Sequence, residues 1–156
     1  MAFGIYGLSN EKFSKLVKDS FKFISSKYGF IFLPQNDPWV MSAEKEDCRI
    51  IFRLGRASVS VAFELLGDLS KTTKYYDKLG VLAIASCINP NFKSKFKMAE
   101  NDDDIKESLH ELAIITKRYC SKLLKGNFSQ WVDIECCVHE KSQKTKNEYP
   151  ELFEKP

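Results

Sequence analysis

From Ser58 to Leu65 the chain alternates without a break: Val59, Val61, Phe63 and Leu65 fall on one side, and Ser58, Ser60, Ala62 and Glu64 on the other. A period of two belongs to a strand with one buried face, so the rest of the chain must supply that face with cover. The preceding run, Cys48 to Leu54, is rich in β-branched and aromatic residues. Gly55-Arg56 between the two runs suits a two-residue hairpin turn in which glycine supplies a positive φ. A hairpin alone is marginal in water, so further strands or helices are required.

The flanking sequence predicts both. Phe13, Leu16, Val17, Phe21 and Ile24 recur at helical spacing behind Ser9, a suitable N-cap, and Gly29 ends the pattern. This predicts an amphipathic helix of about 18 residues with Lys12, Lys15, Lys18 and Lys22 on its wet side. Phe30 to Leu33 reads as a short strand stopped by Pro34, and Trp39-Val40-Met41 opens another, leading through a charged loop at Glu44 to Asp47. Tyr75 to Ile88 carries mixed signals: Ala83 and Ala85 favour the helix adopted here, although Val81, Leu82, Ile84 and Ile88 also suit a buried strand. Phe92, Ser94, Phe96 and Met98 alternate with Lys93, Lys95 and Lys97, the pattern of an edge strand guarded by lysine.

Asn101 and three aspartates then open a long helix striped by Ile105, Leu109, Leu112, Ile115 (or Thr116), Tyr119 and Leu123, with Gly126 as its stop. Asn127 and Gln130 suit a capping box for a second helix, striped by Phe128, Trp131, Val132, Glu135 and Val138. Beyond Glu140 the tail is polar, with Tyr149, Leu152 and Phe153 as apolar groups able to dock. These elements predict a single α+β domain over residues 1–156. Its antiparallel sheet has about four to five strands, with roughly three to five helices packed mainly on one face.

Bulk properties narrow the class. At 44% hydrophobic and 29% charged, the 156-residue chain has the composition of a folded globular protein. A net charge of +3 is far from that of a dedicated nucleic-acid binder. The N-terminus lacks the pattern of a secretory signal, and the longest apolar run, Leu79 to Ile88, is about half of the ~20 residues a spanning helix needs. Five cysteines, scattered except for Cys136-Cys137, do not form a disulfide framework. A reduced cytoplasmic protein is the expected setting.

The candidate chemistry is thin. Cys136, Cys137 and His139 lie close in sequence, but adjacent cysteines on a helix diverge by about 100°, unlike the spacing of structural zinc ligands. No strand-turn-helix elbow presents a nucleophile, and the glycines are scattered singly, without a phosphate-binding loop. No cofactor and no enzymatic activity are therefore expected. Lys93, Lys95 and Lys97 among aromatics form a candidate nucleic-acid-binding strand. Strict alternation, however, puts the lysines and the rings on opposite faces, which favours a plain edge strand. Glu100, Asp102, Asp103 and Asp104 form an acidic cluster. Helix capping accounts for part of it, and the remainder is a candidate surface for a basic protein partner.

The layout carries a family resemblance. An N-terminal Phe/Leu helix ends at Tyr28-Gly29-Phe30, and a β-section containing Val59-Ser60-Val61 follows. A long helix with Leu112-Ala113 and Tyr119 then runs into Leu123-Leu124-Lys125-Gly126-Asn127-Phe128-Ser129-Gln130-Trp131. This resembles the small immunity proteins of bacterial polymorphic-toxin and contact-dependent growth inhibition systems, where a long helix often closes in Leu-x-Gly-Asp. Here Asn127 stands in the place of that aspartate. The resemblance implies a cytoplasmic protein that neutralises a cognate toxin domain by stoichiometric binding. A small RNA-associated module, or an enzyme of undetected class, is the alternative.

Overall fold

The computed structural model describes residues 10–33, 37, 39–55, 58–94 and 99–148. Five strands, β1 (Ile31–Leu33), β2 (Val40–Lys45), β3 (Cys48–Leu54), β4 (Val59–Leu65) and β5 (Lys78–Gly80), form one antiparallel sheet in chain order. The helical segments are α1 (Asn10–Ser20), α2 (Lys22–Ser26), α3 (Gly67–Ser70), α4 (Val81–Ile88), α5 (Asp102–Tyr119), α6 (Ser121–Leu124) and α7 (Trp131–Glu148). The fold is α+β, as the alternation of apolar periods predicts.

Register places Met41 opposite Phe52, Ala43 opposite Ile50, and Ile50 opposite Phe63. This lines one sheet face with side chains that join Phe13, Val17, Ile84, Ile105, Leu109 and Trp131 in a single core. Phe21 meets Phe52 edge-to-face, with ring centroids 4.7 Å apart at 68°. The opposite face carries a charged ladder in which Arg49 bridges Glu44 (2.6 Å) and Glu64 (3.2 Å) across three strands. Opposite charges directly across strands stabilise the pairing.

The structure corrects several local expectations. The first helix breaks at Phe21 (φ −111°, ψ 25°), although Phe21 stays buried and its N–H still reaches Val17 O at 2.9 Å. Ser9 lies outside the described residues. Leu54 pairs with Val59, so that hairpin closes over residues 55–58, with Gly55 N–H donating to Ser58 O at 2.8 Å. Gly55 is not in the left-handed region; Arg56 and Ala57 lie outside the described residues. The tight turn belongs to the previous hairpin, where Lys45 pairs with Cys48 and Glu46 takes φ 52°.

Residues 75–88 divide between the two readings. Leu79 pairs with Phe63 as part of β5, and the helix begins only at Val81. Phe92 to Ser94 lie in no strand, and residues 95–98 are outside those described.

The long helix is interrupted at Cys120 (φ −113°, ψ 15°), and Gly126, at φ +84°, ends the turn that follows. Glycine tolerates that backbone conformation because it has no Cβ. Asn127 does not cap α7: its Oδ1 accepts the Ser129 N–H at 3.1 Å, and α7 starts at Trp131. Ile134 turns inward where Val132 was expected. The polar stretch after Glu140 continues the same helix to Glu148; Tyr149, Leu152 and Phe153 lie outside the described residues.

Candidate functional site

The acidic run is mostly a helix start. Asn101 Oδ1 accepts the Asp104 N–H at 2.9 Å, and Asp104 Oδ2 accepts the Glu100 N–H at 2.8 Å, so the two side chains satisfy amides at and before the first turn. Asp102 Oδ2 accepts from Lys12 Nζ at 2.7 Å and ties α1 to α5. That hydrogen bond, reinforced by the charge of Asp102, raises the pKa of the Lys12 ammonium. Glu100 and Asp103 are exposed. Of the lysine triplet, Lys93 is exposed, while Lys95 and Lys97 fall outside the described residues.

The cysteines separate into two kinds. Cys48 and Cys120 are buried, and desolvation pushes each thiol up to about 12. Cys87 on α4 is bonded to Cys137 on α7, with Cα atoms 6.1 Å apart, which corrects the expectation of wholly reduced cysteines. Spacing gave no sign of this pair, because the partners lie 50 residues apart and meet only when α7 packs on α4. Cys136 is free and half-buried. Among the described residues no group of three or more His, Cys, Asp or Glu could hold a metal ion.

The most organised polar site is formed by α7 and residues 74–76. Trp131, at the start of α7, donates its indole N–H to Tyr76 O at 3.0 Å. One turn later Glu135 is completely buried. Its Oε1 accepts the backbone N–H of Lys74 and that of Tyr75, the latter at 2.5 Å. Charge-assisted bonds of this kind are stronger than neutral ones, and here they replace the water that a buried carboxylate has lost. Glu135 Oε2 is also buried and has no hydrogen-bond partner among the described residues.

One further turn along, His139 receives the ring of Tyr75 face to face, with centroids 3.8 Å apart and planes 6° from parallel. Tyr76 lies against the same imidazole at 6.3 Å, and Lys74 Nζ stands 5.4 Å from the Tyr75 ring centroid. Tyr75 is nonetheless 42% exposed, and Val132, two turns before His139 on the same side of α7, is 43% exposed. The result is an aromatic and apolar surface whose backbone is pinned from beneath. Such a surface suits protein recognition, where rigid Tyr side chains contribute area at small ordering cost.

Sequence reading placed Glu135 in the α7 stripe and Tyr75 on a helix, and missed their contact. The available signal was the carboxylate itself, an acidic residue at an inward position that must find donors.

Comparison of the chain with protein-family models, with curated proteins and with solved structures finds no match.

Proposed function

We propose that this is an immunity-type binding protein, acting in the cytoplasm, that neutralises a cognate toxin domain by forming a one-to-one complex. The observation that carries the proposal is the Tyr75–His139 stack, an exposed tyrosine ring laid on a half-buried imidazole, with the Tyr75 backbone held by the buried Glu135. Preorganisation of this kind lowers the ordering cost of association. The resemblance in layout to immunity proteins supports the same reading. No described helix is long and apolar enough to cross a membrane.

The chemistry of the surface defines the partner. Tyr75 and Val132 offer apolar area, and the exposed Lys74 beside the ring offers a cation. The complementary face is an apolar group flanked by a carboxylate. The acidic start of α5 is a weaker candidate, because Asp102 and Asp104 already serve Lys12 and the Glu100 amide.

The test is co-expression with the polypeptide encoded by the neighbouring open reading frame. A toxin domain that copurifies at equal stoichiometry, and whose growth arrest the protein relieves, supports the proposal. Relief of arrest without a complex, or a complex that leaves the arrest unrelieved, contradicts it.

A further inference from the structure

Three of the five cysteines gather on α4 and α7, while Cys48 and Cys120 are sealed in the core. The Cys87–Cys137 bond is itself half-buried and lines an open groove of ≈ 220 Å³ bordered by Ile88, Gln130, Asp133 and Ile134. We propose that this bond is a thiol–disulfide exchange site for low-molecular-weight thiols entering by that groove, and that its opening loosens the part of α7 that follows Cys137.

The step balances with two equivalents of thiol. A thiolate attacks one sulfur of the pair, forming a mixed disulfide and expelling the other cysteine as a thiolate, which takes up a proton. A second thiolate attacks the mixed disulfide, releasing the oxidised small-molecule disulfide and the remaining cysteine. The protein pair gains two electrons, and the two thiols lose them.

Cys136 does not substitute for Cys137. On α7 the two residues are about 100° apart around the axis, so pairing Cys136 with Cys87 would require α7 to turn by that amount. Such a turn would draw Glu135 away from the Lys74 and Tyr75 amides. The pairing therefore selects one rotational setting of α7. With the bond open, Lys141, which donates to Ser86 O at 3.2 Å, remains as a link between α7 and α4. The Glu135 contact lies on a different side of the helix.

The experiment uses the intact, air-oxidised protein treated under native conditions with increasing glutathione or dithiothreitol, then alkylated and mapped by mass spectrometry. Cys136 is expected to label without reductant. Cys87 and Cys137 should label together as thiol rises, with a glutathione adduct on one of them at low concentration, while Cys48 and Cys120 stay unlabelled until the protein is unfolded. In hydrogen exchange, amides of residues 138–148 should lose protection on reduction. Labelling of Cys87 and Cys137 before any reductant is added would overturn the bond. A bond that resists thiol until the protein unfolds would overturn the exchange site, and unchanged amide protection would overturn the loosening of α7. None of these readouts depends on a toxin partner.

Discussion

The ring of Tyr75 lies flat on the imidazole of His139, 3.8 Å from centroid to centroid, although one belongs to a connecting segment and the other to a helix. α7 both supplies one ring and, through Glu135, fixes the backbone that carries the other. A double-mutant cycle with Tyr75→Ala and His139→Ala should give a coupling of about 0.5–1.5 kcal/mol in chemical denaturation. Additive effects of the two changes would mean that the rings do not meet in solution.

Glu135→Ala removes the acceptor of two half-buried backbone N–H groups, those of Lys74 and Tyr75. Each unsatisfied group costs about 1–3 kcal/mol, so the urea midpoint should fall sharply. Glu135→Gln keeps one acceptor oxygen and should lose less. A Glu135→Ala protein as stable as the parent would remove the clamp from the account.

Asn101→Ala should cost about 1 kcal/mol through loss of the α5 cap, and Asn101→Asp should be tolerated. Asp103→Lys is predicted to leave affinity for the proposed partner unchanged, because the proposed docking surface is that of Tyr75 and Val132. A large loss of affinity would return the binding site to the acidic run.

The buried thiols predict an alkaline limit. Cys48 and Cys120 titrate near 9.0 when unperturbed and at about 12 in the fold. Between those values the unfolded chain has released protons that the native state retains, so stability is full below pH 9 and falls as pH rises toward 12. The slope approaches about 1.4 kcal/mol per pH unit for each thiol. Urea unfolding measured along that range checks the sign, and stability that rises there contradicts it.

The sheet was legible where burial alone sets the pattern. The alternation from Val59 to Leu65 appears in the structure as strict inward and outward placement. The long helix was legible for a similar reason, since Ile105, Leu109 and Leu112 occupy inward positions of a cap-to-stop segment. What the sequence hid was set by tertiary partners. β5 is a three-residue strand that exists because β4 offers it an edge, and Cys87 finds Cys137 only after α7 packs. The local rule at Gly55-Arg56 chose the wrong hairpin for the tight turn, because Glu46 takes the positive φ that glycine usually supplies. The candidate surface was hidden for the same reason: its two rings belong to segments that no local period relates.

The most direct test of the proposed function is calorimetric titration of the intact protein, and of the Tyr75→Ala/His139→Ala variant, against the polypeptide encoded by the neighbouring open reading frame. One-to-one binding by the parent is expected and, because hot-spot residues contribute about 2 kcal/mol or more, at least tenfold weaker binding by a variant that remains folded. Undiminished binding by that variant, or no binding by the parent, would contradict it.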